Sequence, residues 1–184
     1  MDLSFPFYTI GHSTRSIAEL VALLKVADVA LVVDIRTVRR SRTNPQFDGD
    51  VLSERLAPFG IGYEHIAELG GLRGKAPDIP PSLNAYWINQ SFHNYADYAL
   101  SAEFLGGLDR LVSLGRQQRC AIMCAETLWW RCHRRIVADY LIIRGETVFH
   151  LMGDDKVEPA KLTDGATARN DGTLVYPPSQ ASGP

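Results

Sequence analysis

Two short apolar runs place the strongest constraint on the fold. Residues 30–35 (Ala-Leu-Val-Val-Asp-Ile) and residues 120–124 (Cys-Ala-Ile-Met-Cys) are almost continuously apolar, interrupted only by Asp34. A strand without a polar face has to be covered on both sides, as happens in a parallel sheet flanked by helices. Further short strands are predicted at residues 7–10, 61–66 and 147–151. We therefore expect an α/β fold, a three-layer sandwich with a mostly parallel sheet.

Helical patterns fill the segments between these strands. Ser16 and Glu19 have the spacing of a capping box, and an apolar stripe follows them. A second helix begins near Asp50, and later helices are predicted at residues 91–101, 102–115 and 128–144. The last of these ends at Gly145, a residue typical of a helix C-terminus.

The C-terminal part of the chain predicts a small appendage to this sheet. Asn170-Asp171-Gly172 is a strong turn signal, and the apolar residues beside it predict a β-hairpin over residues 166–176. We expect residues 1–176 to form a single α/β domain and residues 177–184 to be a disordered tail.

Composition narrows the class of protein. The 184 residues carry a net charge of -2, so nucleic-acid binding would need a local basic patch and is not favoured. No apolar run approaches the roughly 18 residues of a membrane span, so we expect no membrane partner. An odd number of cysteines, 3 in all, favours a reducing cytoplasm over a disulfide framework. The composition leaves cofactor and oligomeric state open.

Chemically capable residues collect where the predicted strands end. Ligands of open α/β sheets bind beyond the carboxyl ends of the strands. The segments that follow those ends contain His12, Asp34, Arg36, the Gly70-Gly71 pair, Cys124 and Glu126. We therefore expect a functional site at this edge of the sheet.

Cys124 is the candidate nucleophile at this edge. It ends a predicted strand, Thr127 is a plausible N-cap of the next helix, and Arg131 is near. Helix-terminal amides and an arginine lower the pKa of a thiol, whereas the carboxylate of Glu126 raises it. The alternative is that Cys124 is a small buried packing residue, as Cys120 within the strand is expected to be.

Two known chemistries fit this cysteine only in part. A cysteine phosphatase or sulfur transferase needs a loop of small residues, but the segment from Cys124 to Arg131 contains two tryptophans and no glycine. Zinc would take Cys124, Cys132 and His133 as ligands. However, Cys132 and His133 are adjacent and would point about 100° apart on a helix. No metal ligand is therefore assigned.

Histidines and hydroxyl groups supply further candidates. His12 and His133 are candidates for general acid or base catalysis, because histidine titrates near neutral pH. Alternatively, the His12 ring ties two loops together. Ser13 is either a helix cap or a ligand contact, and Asp34 either pairs with an arginine or contacts the ligand.

Clustered arginines favour an anionic ligand. A dense basic loop contains Arg36, Arg39, Arg40 and Arg42, and we expect Arg73 and Arg134 to face the same pocket. Guanidinium groups bind phosphate and carboxylate in a bidentate manner. The alternative is a solvated loop whose arginines pair with nearby carboxylates. The candidate ligand-binding set is Ser13, Arg15, Asp34, Arg36, Arg39, Gly70, Gly71, Arg73, Cys132 and Arg134.

Four ordered motifs resemble a known family. They are Thr9-Ile-Gly-His-Ser-Thr-Arg15, Val33-Asp-Ile-Arg36 with Asn44-Pro-Gln-Phe47, Leu69-Gly-Gly-Leu-Arg-Gly74, and Met123-Cys-Ala-Glu126 with Cys132-His-Arg134. Together they resemble the bacterial and archaeal "domain of unknown function 488" family over about residues 8–152. The resemblance implies a prokaryotic protein with an α/β fold. It implies no activity.

Three functional hypotheses follow. The first is an enzyme, a cysteine-dependent transferase or hydrolase, that acts on an anionic, phosphate-bearing small molecule or nucleotide with Cys124 as nucleophile. Its acid or base would be His12, His133 or Glu126. The second is a non-catalytic module that binds nucleotides or nucleic acid through the arginines. The third is a thiol redox or metal sensor that uses Cys124 and Cys132.

Overall fold

A six-stranded sheet forms the centre of the protein. The structure, a computed structural model, describes residues 4–179. The strands are β1 (Phe7–Gly11), β2 (Leu31–Asp34), β3 (Gly62–His65), β4 (Cys120–Cys124), β5 (Val148–Gly153) and β6 (Lys156–Pro159). They lie in the order β3-β2-β4-β1-β5-β6, in which the first five are parallel and β6 is antiparallel to β5.

Helices cover both faces of this sheet. The helices are α1 (Ile17–Val26), α2 (Gly49–Leu56), α3 (Gln90–Tyr98), α4 (Ala102–Gln117) and α5 (Arg134–Ile143). Helices α1 and α2 pack with Val32 and Met123 in one apolar core, and α3, α4 and α5 pack with Val33 and Ile122 in the other. Neighbouring residues of one strand thus enter opposite cores, as the two-residue period of a strand requires. The predicted α/β class with a mostly parallel sheet is confirmed.

The connections between strands create a crevice at the carboxyl edge. After β1 and β2 the chain crosses through α1 and α2 on one face, and after β3 and β4 it crosses through α3, α4 and α5 on the other. Strands β1 and β4 are neighbours, so their following segments separate towards opposite faces. Such a switch point leaves room for a ligand between the two segments.

Helix α5 begins six residues later than the sequence pattern predicts. Residues Trp129–Arg131 form a single 3-10 turn, and Cys132 has an extended backbone with φ -124° and ψ 147°. The predicted N-cap at Thr127 is wrong, because His133 occupies the N-cap position of α5 and makes no capping bond with its side chain. Cys124 therefore does not lie at the N-terminus of α5, and the amide of Arg134 donates to the sulfur of Cys132 at 3.5 Å instead.

The C-terminal part of the chain contains the predicted hairpin and one further strand. Strands β7 (Thr167–Ala168) and β8 (Leu174–Val175) form the predicted hairpin, which is confirmed. Strand β6 was not predicted, since its short polar sequence at the sheet edge lacks apolar alternation. Of the expected tail, residues 180–184 lie outside the described part and residues 177–179 have no regular secondary structure. Within residues 4–179, no helix has the length and apolar character needed to cross a membrane.

Gly11 lets the segment after β4 pass close to the end of β1. A Cβ atom at this position would lie 1.9 Å from the carbonyl oxygen of Glu126 and 2.8 Å from the Cα of Thr127. Both of those atoms belong to the backbone, so neither can move without shifting the loop that follows Cys124. The close approach of these two backbone segments thus accounts for glycine in the Gly-His-Ser motif.

Gly11→Ala should destabilise the protein, because the added methyl group overlaps with the backbone of residues 126 and 127. We expect a loss of about 1–3 kcal/mol or more in the free energy of unfolding. That corresponds to roughly 2–4 °C in melting temperature for each kcal/mol. Thermal denaturation followed by circular dichroism measures the loss.

Gly106→Ala in α4 is the matched control, since a Cβ there meets nothing within 4 Å. Alanine is a better helix former than glycine by about 0.5–1 kcal/mol, so this variant should be slightly more stable. Equal behaviour of the two variants would contradict the close approach at Gly11.

Candidate functional site

A cavity of about 330 Å³ lies at the carboxyl edge of the sheet and contains two thiols; we call it the thiol cavity. Cys124 and Cys132 contribute the thiols, and His133 lies beside them. Apolar side chains form much of the wall, namely Val38, Leu72, Phe92 and Tyr95. The other lining residues are Arg36, Thr37, Gly71, Ser91, Ala125, Glu126 and Arg131. Several predicted site residues therefore do share one cavity.

The two thiols are in direct contact. The sulfur atoms of Cys124 and Cys132 lie 2.7 Å apart, and both residues are almost fully buried. They are separate cysteines and not a disulfide. The Cys132 sulfur also lies 3.5 Å from Nδ1 of His133. A hydrogen-bond chain of thiol, thiol and imidazole thus lines the cavity.

The tautomer of His133 follows from its other contact. Its Nε2 lies 2.9 Å from the carbonyl oxygen of Ile35, and a carbonyl oxygen only accepts hydrogen bonds. Nε2 therefore carries the hydrogen, and Nδ1 is the free base that faces Cys132. Burial lowers the pKa of His133 to about 4, so the ring is neutral near pH 7.

Arg134 is a fully buried cation behind the thiols. Its Nη2 donates to the carbonyl oxygens of Glu126 at 2.9 Å and Thr127 at 2.7 Å. Within residues 4–179 its Nε and Nη1 have no hydrogen-bond partner, and Arg134 takes part in none of the ion pairs there. A buried charge is costly unless an opposite charge lies near it.

The two cysteines of the pair differ in acidity. Burial by itself raises the pKa of the Cys124 thiol, but the hydrogen bond from Cys132 and the charge of Arg134 outweigh it and leave this pKa below its ordinary value. Burial, followed by the contact with Cys124, raises the pKa of Cys132 well above its ordinary value. Burial raises the pKa of Cys120 to about 12. Cys124 is therefore the thiol that ionises first.

A second depression of about 390 Å³ adjoins the thiol cavity; we call it the polar groove. Arg36, Val38, Ala125 and Glu126 line both spaces. The remaining lining residues of the groove are mostly polar, namely His12, Ser13, Thr14, Arg40, Ser41, Asn44 and Thr127. One ligand with an apolar part and a polar part would span the two spaces.

A buried network joins the ends of β1, β2 and β3 beneath the polar groove. Arg36 binds both carboxylate oxygens of Asp34, from Nε at 2.9 Å and from Nη2 at 2.7 Å. Tyr63 donates to the same carboxylate at 2.5 Å, and Arg36 also donates to the carbonyl of Phe47. Nη1 of Arg36 lies 3.2 Å from Nε2 of His12. Among residues 4–179, four of the five N–H groups of Arg36 have partners, and one on Nη1 remains for a ligand.

His12 is held as a neutral acceptor in this network. Because a guanidinium only donates, Nε2 of His12 accepts from Arg36, and Nδ1 donates to the carbonyl of Ser13 at 2.9 Å. Burial and the charge of Arg36 lower the pKa of His12. Ser13 has φ 48°, which is uncommon for a serine and places backbone strain beside the site.

Three predicted arginines lie away from the thiol cavity. The guanidinium of Arg73 donates to the carbonyls of Gly70 and Ala67 and stacks 3.8 Å above the ring of Tyr98. Arg15 donates to the carbonyl of Met152 between α1 and β5. Arg39 is partly exposed near Gly49. These arginines make separate local contacts, and the expected single cluster of guanidinium groups is not assembled around the cavity.

The glycine pair shapes the cavity wall. A Cβ at Gly71 would lie 3.0 Å from Nδ1 of His133, so glycine there leaves space for the ring. A Cβ at Gly70 would lie 2.5 Å from Oγ1 of Thr37, whose hydroxyl donates to the carbonyl of Gly71. Because Gly70 and Gly71 have no side chains, the segment after β3 can pack closely against the segments that follow β2 and β4.

Sequence reasoning did not assign the apolar wall or Tyr63 to the site. Tyr63 lies on β3 beside β2, so strand adjacency is the only signal that would have linked it to Asp34. Phe92 and Tyr95 have helical spacing in α3, which is typical of core residues as well as of ligand contacts. Within residues 4–179, no group of three or more His, Cys, Asp or Glu residues is arranged to hold a metal ion.

The free energy of unfolding should decrease as the pH falls, because His133 and His150 stay neutral in the folded protein. Burial lowers the pKa of His133 and of His150 to about 4, whereas the unfolded residues titrate near 6.5. Between these values the unfolded chain binds protons that the folded chain does not. The free energy of unfolding should therefore decrease as the pH falls through this range, by up to about 1.4 kcal/mol per pH unit for each histidine. Urea denaturation at pH 7, 6 and 5 measures the slope.

His133→Asn and His150→Asn should each flatten that slope, and the double variant should flatten it most. Comparing slopes between pH 7 and 5 separates the titration from packing lost at neutral pH. An unchanged slope in the double variant would show that the imidazoles are protonated in the folded protein.

Comparison with known proteins gives one match. The family model described as "Domain of unknown function DUF488" matches residues 16–141, which is more than half of the chain. Neither the curated proteins nor the solved structures contain a match. The matched region runs from the N-cap of α1 into α5 and includes Arg36, Cys124 and Cys132, whereas His12 lies just before it. The chain belongs to the DUF488 family of domains of unknown function.

Proposed function

We propose that the protein is an enzyme in which the thiolate of Cys124 attacks a small molecule that carries an anionic group. The observation that carries this proposal is the place of the Cys124 sulfur, on the wall of the thiol cavity and 2.7 Å from the sulfur of Cys132. A thiol that only fills a core does not need a proton donor beside it. The thiolate is the form of cysteine that acts as a nucleophile.

Arg134 supports ionisation of Cys124. Its guanidinium is fully buried and its hydrogen bonds end on two neutral carbonyl groups. The thiolate supplies the negative charge that a buried guanidinium requires, and an interior of low dielectric strengthens their attraction. Arg134 therefore stabilises the thiolate from behind the cavity wall and does not contact the ligand.

The lining of the two spaces supports a ligand with an apolar and an anionic part. Phe92, Tyr95 and Leu72 would contact the apolar part in the thiol cavity. The free N–H of Arg36 and the exposed guanidinium of Arg131 would bind the anionic part. A phosphate-bearing small molecule or a nucleotide has this composition, and nucleic acid is not favoured.

The acid and base of the reaction are best supplied by His133 and Glu126. Nδ1 of His133 is unprotonated and faces the thiol pair, whereas Nε2 of His12 is already occupied by Arg36. Glu126 is exposed and lines both spaces, so its carboxyl group can exchange protons with a ligand and with solvent. His12 then acts by orienting Arg36.

Cys124 should be the most reactive thiol of the chain. We expect iodoacetamide to modify Cys124 with a rate that rises to a plateau at a pH below the ordinary thiol pKa of about 8.5. The midpoint of this pH profile is the pH at which the labelling rate is half of its plateau value. Arg134→Met should raise the midpoint by about one pH unit or more, and Arg134→Lys, which keeps the charge, should raise it less. Peptide mass spectrometry after timed labelling identifies the modified cysteine.

Arg73→Met is the matched control, because Arg73 donates to carbonyls of Gly70 and Ala67 and does not line the thiol cavity. It should leave the midpoint unchanged. A midpoint for Cys124 at or above about 8.5 would remove the nucleophile and favour the non-catalytic binding module.

Anionic ligands should protect Cys124 from alkylation. We expect adenosine monophosphate to slow the labelling of Cys124 more than adenosine or inorganic phosphate alone, because it offers both an apolar ring and a phosphate group. Arg131→Ala should weaken the protection without changing the rate in the absence of ligand. Equal labelling rates with all three probes would contradict the anionic substrate class while leaving the thiolate in place.

A further inference from the structure

The thiol pair has a geometry that a single nucleophile does not require. The sulfur atoms lie 2.7 Å apart, and a disulfide bond is about 2.05 Å long, so bond formation needs an approach of less than about 1 Å. Cys132 follows the Trp129–Arg131 turn with an extended backbone and precedes α5. Cys132 therefore lies just outside α5, and the approach that bond formation requires is small compared with the contact already made.

We infer that Cys132 is the resolving thiol of Cys124, and that the pair reduces hydroperoxides through an intramolecular disulfide. The inference rests on the thiolate that the proposed function also uses, but it does not depend on an anionic substrate. It adds a redox activity to the thiol cavity and gives Cys132 a role of its own.

The difference between the two thiols sets the order of events. Cys124 ionises first and attacks, while Cys132 stays protonated. Burial and then the contact with Cys124 raise the pKa of Cys132, whereas the contact with Cys132 and the charge of Arg134 lower the pKa of Cys124 against the effect of its burial. Nδ1 of His133 lies 3.5 Å from the Cys132 sulfur and accepts hydrogen bonds. It is placed to take the Cys132 proton when that sulfur attacks in turn.

Reduction of a hydroperoxide takes three steps. The Cys124 thiolate attacks the terminal oxygen of a hydroperoxide, the O–O bond breaks, and the alkoxide takes a proton to leave as an alcohol. Cys124 becomes a sulfenic acid, which is a two-electron oxidation. The Cys132 thiol then attacks the Cys124 sulfur and releases its hydroxyl group as water, with the proton passing through His133. An external dithiol reduces the resulting disulfide by exchange and is itself oxidised to a disulfide.

The cavity wall indicates which hydroperoxides fit. Val38, Leu72, Phe92 and Tyr95 present apolar surface around the thiols, in a space of about 330 Å³. An apolar substituent on the peroxide would displace water from this surface. We therefore expect an organic hydroperoxide to react faster than hydrogen peroxide.

Oxidation also changes the electrostatics beneath the site. The disulfide carries no charge, so its formation removes the anion that faces Arg134. The guanidinium then holds the loop only through the carbonyls of Glu126 and Thr127 while its charge is unbalanced. The segment after β4 should loosen in the oxidised protein, which would admit the reducing dithiol.

The test uses Cys120→Ser, in which only the two site thiols remain, treated with an equimolar amount of cumene hydroperoxide. Both free thiols should be lost. Trypsin cleaves after Arg131 and separates Cys124 from Cys132, so the oxidised protein should yield two peptides joined by a disulfide. Cumene hydroperoxide should be consumed repeatedly when dithiothreitol is supplied.

Two further variants assign the roles. In Cys132→Ser, or in Cys132→Ala if the serine variant does not fold, Cys124 should stop at a sulfenic acid that dimedone traps. Cys124→Ser should consume no peroxide. Joined peptides in the parent variant together with these two results support the inference. Sulfenic or sulfinic acid at Cys124 without joined peptides would overturn it and leave the proposed nucleophile intact, whereas an unreactive Cys124 would overturn both.

Discussion

The site depends on the hydrogen bonds and the charge of one buried guanidinium group, that of Arg134. It is the first residue of α5, and its Nη2 ties the carbonyls of Glu126 and Thr127 to that helix. The loop between β4 and α5 is thereby folded back over the strand ends. Within residues 4–179 no carboxylate pairs with Arg134, and its charge is one of the causes that lower the pKa of the Cys124 thiol. Loop geometry and thiol acidity therefore have one common cause.

The ion pair between Arg36 and Asp34 organises the opposite side of the site. Asp34 neutralises Arg36 through two hydrogen bonds, and Tyr63 and Phe47 complete the set. Because this pair is balanced within itself, it offers a ligand a hydrogen-bond donor on Arg36 but little net charge with which to stabilise a thiolate. Its main effect is to hold His12 in one tautomer and to join three strand ends. Arg36 thus holds the strand ends together and keeps one N–H group for a ligand. Arg134 is buried and acts on the thiols through its charge.

Much of the fold could be predicted because the signals are local. The apolar runs that became β2 and β4, the capping box of Ser16 and Glu19, and the turn at residues 170–172 each depend on a few adjacent residues. The start of α5 could not be predicted in this way. Residues 128–133 have a helix-compatible pattern, but burial of Arg134 and the contact between Cys132 and Cys124 hold them in a turn and an extended segment. Tertiary contacts outweigh weak helix propensity.

The contacts that each arginine makes could not be predicted from the sequence pattern either. Arg36, Arg73 and Arg134 follow different elements, and a guanidinium reaches far enough to find carbonyls, carboxylates or aromatic rings in several directions. Which of these it meets depends on the packing of segments that are distant in the chain. A dense run of basic residues therefore predicts that cations are near a site, and it does not predict which of them face a ligand.

The amino-acid sequence by itself determined the α/β class, the sheet edge where the polar residues gather, and the presence of Cys124 at the end of a buried strand. It could do so because strand burial and the direction of parallel strands follow from local patterns. Only the tertiary structure decided that Cys132 contacts Cys124, that Nδ1 of His133 faces the pair, and that Arg134 is buried with no carboxylate partner in the described part of the chain. The physical reason is that thiol acidity and hydrogen-bond partners depend on distances of a few ångströms between segments. Those distances are set by how α5 and its preceding loop pack onto the sheet.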